Sequence, residues 1–394
     1  MKVNLVVNSF PTPSETFLFN LVVGLESKGV DVTVIASAPT AYNNFYKSRL
    51  QEWSGKIKYV PGKKVTDLIK LIFIFLKHIK LFSELNRVVG FKKAMGLCAL
   101  YNAIMHNQPD IVHFSFSGIA IQYHHILSYL NKHCKTVVSC RGTGEKVKPI
   151  VDRKRGQGLR SIFTIVDSIH CVSSDMVKTI SPYLSSYDKV FVNFPSIMDD
   201  KFMFNCRPYK LNTETFQIVT TGRLYYQKGY VFALEALFKL KQAGYRFHYH
   251  ILGEGPDREM LEFVIHEMGL QDYVYLHGRV NGEVVYEYLN KSDVFLLSSM
   301  YEGIANAALE AMSVGIPIVS TTAGGMVEVI TEGINGKLVP TYDSQAIYEA
   351  LKWTINNYDK SIEMAIKARE TIENNHTHKQ QIDVFLNQYM ILIK

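Results

Sequence analysis

Cysteine is scarce: five residues (Cys98, Cys134, Cys140, Cys171 and Cys206) stand in a chain of 394, an odd number without a C-x-x-C pair. That argues against a disulfide framework and against a thiolate zinc site, and makes a reducing compartment the expectation. Long apolar runs are also missing; none approaches the ~20 residues that span a bilayer. The opening passes from Lys2 straight into a strand-like stretch, with no pattern of a cleavable signal. The expected location is therefore the cytosol. No internal repeat and no low-complexity tract interrupts the chain. Charged residues make up 20% and hydrophobic residues 47%, which excludes a largely disordered chain, a collagen and a coiled coil. At ~150 residues per domain the length predicts two or three domains with separate cores.

The net charge of +7 is unevenly placed. Ten Lys and Arg residues stand against Asp67 and Glu84 between Lys56 and Lys93, so this segment holds the whole excess and the remainder is close to neutral. Within it Leu68, Leu71, Ile72, Phe75, Leu76, Ile79, Phe82, Leu85 and Val89 recur at helical spacing, opposite Lys70, Lys77, Lys80, Glu84 and Arg87. Two readings fit. One is a core-facing helix with a solvated back; the other is an interfacial helix lying on an anionic membrane surface. Nucleic acid is not expected, because no recognition motif accompanies the charge.

Two halves alternate strand and helix. In the first, Val3–Val7, Asp31–Ala36, Ile111–Phe114, Thr136–Ser139, Ser168–Val172 and Lys189–Asn193 read as strands, and Thr16 to Lys28 as a helix. The polar stretch Asp199–Thr215 reads as a linker. Strands then resume at Gln217–Thr221, Arg246–Leu252, Tyr273–Leu276, Asp293–Leu297 and Ile316–Ser320. Helices are expected over Tyr230–Ala243, Pro256–Met268, Val284–Asn290 and Ala305–Val314. Such alternation predicts α/β domains with parallel sheets covered on both faces. Ligands then sit at the carboxyl ends of the strands, in the cleft between two such domains. The final segment carries Ile382, Phe385, Leu386, Tyr389 and Met390 at helical spacing, so it should dock an apolar face.

The stretch Ser298-Ser299-Met300-Tyr301-Glu302-Gly303-Ile304-Ala305-Asn306-Ala307-Ala308-Leu309-Glu310 joins a strand to a helix of small residues. By residue type alone Glu302 and Glu310 suggest a hydrolase acid/base pair. Eight residues of helix rise ~12 Å, however, against roughly 5–9.5 Å between hydrolase carboxylates. The longer span suits two ends of an extended ligand, such as the sugar and ribose of a nucleotide-sugar. Free N–H groups at Ile304–Ala307 between the two acids are suited to a diphosphate. The competing reading is a solvated helix start. Thr220-Thr221-Gly222-Arg223-Leu224, followed by Lys228-Gly229, places two cations in one strand-to-helix loop, a pattern that fits a diphosphate clamp. Gly324-Gly325 with Glu328 again follows a strand.

The order G-R-L…K-G, G-x-G-P from Gly253 to Pro256, E-x7-E and G-G-x-x-E resembles the retaining glycosyltransferases of family 4. The opening Pro13-Ser14-Glu15-Thr16-Phe17 is similar to a subgroup that assembles exopolysaccharide, O-antigen and colanic acid. The resemblance implies the GT-B fold: two Rossmann-like parallel-sheet domains facing across a cleft, with a C-terminal helix crossing back to the N-terminal domain. The domains would be residues 1–200 with helix 378–394, and residues 212–377. It implies that Glu302 touches the donor sugar, Glu310 holds the ribose, and Arg223 and Lys228 neutralise the leaving diphosphate. The backbone of Gly303, Ile304, Ala305, Asn306 and Ala307, with Gly222 and Gly253, would complete the donor site. Ser14, Glu15 and Thr16 would approach the phosphates or the acceptor.

The implied reaction moves a sugar from a nucleotide-diphosphate-sugar, UDP-linked by default, to a hydroxyl of a glycan or lipid-linked glycan. No cofactor or metal is expected, since the chain has no D-x-D motif. The family often carries H-G-x-D after the strand at Thr136–Ser139, whereas this chain reads Arg141-Gly142-Thr143-Gly144-Glu145. Arg141 cannot act as a base at neutral pH, but it could hold a phosphate or an acidic sugar. His113 is a candidate for the acceptor cleft or, equally, a histidine ending a buried strand. His376 and His378 are expected in a loop. Two other readings remain: a catalytically silent scaffold of the same fold, kept open by Arg141, and a Rossmann oxidoreductase. The second is disfavoured because Arg258 stands where G-x-G-x-x-G needs its third glycine.

Overall fold

The computed structural model describes residues 1–12, 15–39, 56–61, 65–198 and 215–394. Of the proposed linker Asp199–Thr215, all but Thr215 lies outside the described residues, as do Pro13 and Ser14. The chain divides into two compact units. The first comprises Met1–Val172, Met176–Asn193 and Ile382–Lys394; the second comprises Ser173–Asp175 and Phe194–Gln381.

Seven parallel strands build the first unit: β1 (Lys2–Phe10), β2 (Asp31–Pro39), β3 (Lys56–Tyr59), β4 (Ile111–Phe114), β5 (Lys135–Cys140), β6 (Ser168–Cys171) and β7 (Val190–Val192). Their order is β3-β2-β1-β4-β5-β6-β7. Alternation along each strand feeds two cores. Val6, Ile35, Val112, Phe114 and Val138 point to one face, with Leu97, Leu100 and Leu159 from the helices. Val3, Leu5, Val7, Val32, Val34, Ile111 and Val137 point to the other, against Leu18, Leu21 and Leu25. Both faces are apolar, so the strands read as continuous hydrophobic runs. Helix His378–Ile393 closes the second face, where Ile382, Phe385 and Tyr389 are almost wholly buried. Lys28 Nζ meets Asp383 Oδ1 at 2.8 Å on the rim of that contact.

The second unit repeats the plan with β8 (Phe216–Thr221), β9 (Phe247–Leu252), β10 (Val274–Gly278), β11 (Val294–Leu297), β12 (Ile318–Thr321) and β13 (Lys337–Val339), ordered β10-β9-β8-β11-β12-β13 and parallel throughout. Ile218, Tyr249, Ile251 and Leu296 fill one face; Val219, Phe295 and Leu297 fill the other. In each sheet the winding direction reverses beside the first strand, between β1 and β4 and between β8 and β11. Those reversals open a crevice at the carboxyl ends of the strands. The edge strands β3 and β13 were not anticipated from sequence; at four and three residues they carry too little pattern to register.

Candidate functional site

Two loops leave the carboxyl ends of β8 and β11 side by side, and they carry the cations and the acids singled out above. Lys228 ends a short turn, Tyr226–Lys228, and Gly229 follows with φ +63°. A Cβ at Gly229 would stand 2.1 Å from the carbonyl oxygen of Ser298, so both conformation and space require glycine. Ser298 Oγ donates to Lys228 O at 2.9 Å, Met300 N to Gln227 O at 2.8 Å, and Tyr301 OH to Gln227 Oε1 at 2.9 Å. The loops are thereby locked together, and Lys228 Nζ lies 2.6 Å from Glu302 Oε1. Ser299 Oγ donates to the same oxygen at 2.7 Å. The other oxygen, Oε2, has no hydrogen-bond partner among the described residues.

Gly253 and the Gly324-Gly325 pair bring backbone segments together. A Cβ on Gly253 would meet Gly222 O at 1.7 Å, and Cβ atoms on Gly324 and Gly325 would meet the carbonyls of Glu302 and Gly303 at 1.9 and 2.2 Å. Gly325 N donates to Gly303 O at 2.9 Å. Gly253 therefore stacks its loop on the one that leads to Lys228, and Gly324 and Gly325 stack theirs on the one that presents Glu302. Glu328, at the end of the same turn, accepts from Ser174 N at 2.8 Å and Asp175 N at 2.7 Å.

The helix after this loop starts at Asn306 and runs to Val314 without a side-chain cap. The ~12 Å rise expected between Glu302 and Glu310 is thus corrected: Glu302 lies in the loop, and only Asn306–Glu310 is helical, rising ~6 Å. The N–H groups of Ile304, Asn306 and Ala307 have no acceptor among the described residues, and Ala305 N points only at Met326 Sδ, 3.4 Å away. Arg223 is exposed and makes no hydrogen bond or ion pair among the described residues. The half-buried Glu310 carboxyl also has no partner there, and burial pushes its pKa up to about 7. The second unit therefore holds, around one strand-end crevice, unbonded N–H donors, a free guanidinium, an ammonium shared with a carboxylate, and a carboxyl poised to ionise near neutrality. That set matches the needs of a diphosphate flanked by hydroxyl-bearing groups.

In the first unit Glu15 precedes helix Thr16–Ser27, and Thr16 opens it. His113, on β4, is completely buried. Its Nδ1 lies 2.6 Å from Tyr389 OH, and its Nε2 lies 2.8 Å from Ser139 Oγ. Ser139 Oγ lies 2.8 Å from His170 Nδ1, and His170 Nε2 lies 3.0 Å from Asn193 O. The terminal carbonyl can only accept, which fixes every donor. His170 Nε2–H donates to Asn193 O, Ser139 O–H to His170 Nδ1, His113 Nε2–H to Ser139, and Tyr389 O–H to His113 Nδ1. Both imidazoles are neutral; burial, then the Arg141 charge, depresses their pKa values, that of His113 to about 3. His113 therefore belongs to a buried network that ties the C-terminal helix to the sheet, rather than lying open to an acceptor.

Arg141 follows β5 directly. Its guanidinium carbon stands 4.2 Å from the Phe17 ring centroid, and Nε donates to Ser115 O at 3.3 Å. Glu145, which sequence reasoning missed as a functional residue, secures the backbone beneath it: Oε2 accepts from Arg141 N and Gly142 N, each at 3.1 Å. Its other oxygen accepts from Ser117 Oγ, and Arg155 Nη2 stands 3.8 Å away. The signal was available in Gly142-Thr143-Gly144-Glu145, where an acid three residues after a helix start reaches back to the free N–H groups.

Two further expectations are corrected. Of the two histidines expected in a loop, His376 does lie in the short connection between helices Tyr358–Asn375 and His378–Ile393, though buried and with Nδ1 3.0 Å from Pro195 O, whereas His378 begins the last helix. The basic segment forms two helices, Val65–Lys77 and Ile79–Val89, which break at His78 and so do not share one period. Leu71, Ile74, Phe75, Phe82, Leu85 and Val89 pack on the core, whereas Ile72, Leu76 and Ile79 are exposed together with Ile69 and Phe73. The side chain of Leu68 lies outside the described residues.

The family profile described as Glycosyl transferases group 1 matches residues 204–371. The amylovoran biosynthesis glycosyltransferase AmsK of Erwinia amylovora is 28% identical over 410 residues, covering 98% of this chain and 100% of its own. WcaL of Escherichia coli K12, named for colanic acid biosynthesis, is 27% identical over 404 residues and 97% of each chain. Among solved structures, Anabaena HepE in complex with UDP and glucose superposes with TM-score 0.78 at 15% identity, over 99% of this chain and 100% of its own. S. aureus TarM, in a variant complexed with UDP and α-GlcNAc-glycerol, gives TM-score 0.77 at 11% identity, over 98% and 99%.

The buried histidine chain sets a stability test. Tyr389→Phe leaves His113 Nδ1 without its donor, and the expected loss is about 1–3 kcal/mol in urea unfolding. Because His113 and His170 bind protons more readily when unfolded, stability is full above the unfolded pKa near 6.5 and falls as pH drops toward 3. His113 contributes about 1.4 kcal/mol per pH unit in that window, and His170, held well below its ordinary value by burial, adds in the same direction. Unfolding midpoints measured at pH 7.5, 6 and 5 check both slope and sign.

Proposed function

From a glycosyltransferase of GT-B fold, whose residues 204–371 carry the glycosyl transferases group 1 domain, we propose a retaining, metal-independent enzyme of cell-surface polysaccharide synthesis. It takes a sugar from a nucleoside-diphosphate donor, UDP-linked by preference, and adds it to a hydroxyl of a glycan or lipid-linked glycan. The single observation that supports this most is the convergence of Arg223, the Lys228–Glu302 pair and the unbonded N–H groups of Asn306 and Ala307 at one switch point.

The chemistry follows from those groups. Breaking the anomeric C–O bond puts negative charge on the β-phosphate and positive character on the sugar. Arg223, Lys228 and the helix N–H dipoles meet the developing negative charge without rearrangement. Lys228 then divides its donors between phosphate and Glu302, and the free Oε2 of Glu302 accepts from a sugar hydroxyl. Glu310 accepts from the ribose. The acceptor hydroxyl attacks from the face the diphosphate leaves, so configuration is kept without a protein nucleophile. The chain's own fixed cations do the work that a D-x-D-bound metal would do elsewhere.

The exposed apolar stripe supports a lipid-linked acceptor. Ile69, Ile72, Phe73 and Leu76, each 58–69% exposed, recur at i, i+3, i+4 and i+7 on a helix that also exposes Lys70 and Lys77. No helix among the described residues is long and apolar enough to cross a membrane. An amphipathic stripe flanked by lysines is suited to lying in the headgroup region of an anionic cytoplasmic leaflet.

Calorimetric titration with UDP, GDP, ADP and TDP in EDTA should reveal tight binding of one diphosphate. Arg223→Ala and Glu310→Ala should each weaken it by about tenfold or more. Loss of all binding in EDTA, restored by Mg²⁺ or Mn²⁺, would overturn metal independence; binding without sugar transfer would favour the silent scaffold. Ionised Glu310 is the form that accepts from ribose, so affinity should rise as pH increases toward and past about 7. Glu310→Gln should flatten that rise relative to the unaltered chain. Flotation with liposomes should show binding to anionic but not neutral vesicles at low salt. Phe73→Ser with Leu76→Ser should abolish it, since each insertion contributes about 1.5–3 kcal/mol.

A further inference from the structure

Arg141 is held in an arrangement that the donor reaction does not use. The side chain is half-buried, with Phe17 covering one face of the guanidinium and Nε bonded to Ser115 O. No other hydrogen bond and no ion pair reaches it among the described residues, so both Nη groups lack acceptors. Burial pulls its pKa down to about 10, opposed by Glu15 and more weakly by Tyr389 and Glu145. A half-buried guanidinium whose Nη groups have no acceptor among the described residues keeps a fork of N–H donors available. Glu145 does not fill them, since its oxygens are engaged by the N–H groups of Arg141 and Gly142 and by Ser117.

The second observation is independent. Ser115 is 1% exposed, and its Oγ is buried without a hydrogen-bond partner among the described residues. Ser115 follows β4 and Arg141 follows β5, neighbouring parallel strands beside the β1/β4 reversal, so both stand at the carboxyl edge where this architecture takes ligands. A planar fork of free N–H groups beside an unfilled hydroxyl is complementary to an oxyanion.

We propose that Arg141 and Ser115 form a receptor for an oxyanion, phosphate or carboxylate, carried by the acceptor. The proposal rests on the glycosyl-transfer reading and names the acceptor's chemical class: a charged glycan or glycolipid rather than a neutral one. The guanidinium acts by orienting the acceptor, and carries no proton in the transfer.

The test uses the full chain, saturated with whichever nucleoside diphosphate binds, and ligand-observed NMR titration. The probes are methyl phosphate and methyl glucuronoside, with methyl glucoside as the neutral control. At least one anion should bind where the glucoside does not; phosphate points to a lipid-phosphate or sugar-phosphate acceptor, the carboxylate to a uronic acid. Arg141→Ala should weaken that binding about tenfold or more, and Ser115→Ala severalfold. Arg141→Lys, which keeps charge but loses the fork, should fall between the unaltered chain and Arg141→Ala. Nucleoside diphosphate affinity should be unchanged in all three, which also reports that the second unit is folded. If Arg141→Ala fails to fold, Arg141→Lys and Ser115→Ala carry the test. The proposal is overturned if neither anion exceeds the neutral control, or if binding survives the Arg141 and Ser115 variants. Loss on Arg223→Ala instead would also overturn it. Should no nucleoside diphosphate bind, the donor reading fails, while the Arg141 titration still decides this one.

Discussion

The Lys228–Glu302 pair depends on two loops approaching far more closely than side chains would allow. At 2.6 Å, in a site where both side chains are less than one-fifth exposed, the pair is shielded from the screening that makes surface ion pairs negligible. It is not a free-standing bond. Gly229 lets the ammonium-bearing turn lie against Ser298, and Gly324 and Gly325 let the next loop press on the backbone of Glu302 and Gly303. Ser299, which positions the carboxylate, is itself held by Thr321 Oγ1 donating to its carbonyl at 2.6 Å. Three strand ends thus share one arrangement, and the carboxylate keeps one oxygen unoccupied within it. A ligand arriving there finds charges already desolvated and fixed, which is the condition for electrostatic stabilisation without reorganisation.

The first unit solves a different problem. Its sheet contains two histidines, two strands apart, whose rings would be costly to bury unpaired. The hydrogen-bond chain that runs from Tyr389 to Asn193 fills each nitrogen once and leaves no choice of tautomer. Arg141, just above it, helps to keep both rings neutral. Glu145 and Arg155 hold the segment that bears Arg141, so the guanidinium is presented by a rigid support.

Much of this was legible in the sequence, and unevenly so. The buried strands show as apolar runs, and the loops that follow them show as glycine with charge, so the alternation and the residues at β8 and β11 could be read directly. What could not be read was pairing. Nothing in the spacing of Lys228 and Glu302 says that they touch, and the separate roles expected of them take no account of that contact. Gly253 reads as part of the donor site, yet it meets the backbone of Gly222, and Gly324 and Gly325 meet that of Glu302 and Gly303; loop–loop contact leaves no local pattern. His113 and Tyr389 are 276 residues apart, beyond any periodicity argument. The basic segment is legible only in part for a local reason: a single helical spacing runs across His78, where the structure has two helices, and on the first of them Ile69, Ile72, Phe73 and Leu76 form an outward stripe opposite Leu71, Ile74 and Phe75.

The placement of residues 382–394 has a consequence for how the molecule is made. These residues supply Ile382, Phe385 and Tyr389 to the core of the first unit, although they are translated after all of the second. Domains usually mature in the order they leave the ribosome. Here the order inverts: the segment up to Gln381 contains everything the second unit needs, while the first waits with one face of its sheet covered only by helix Thr16–Ser27 and with His113 missing its phenolic donor. Until the closing helix is synthesised, the earlier half of the nascent chain therefore lacks part of its own core.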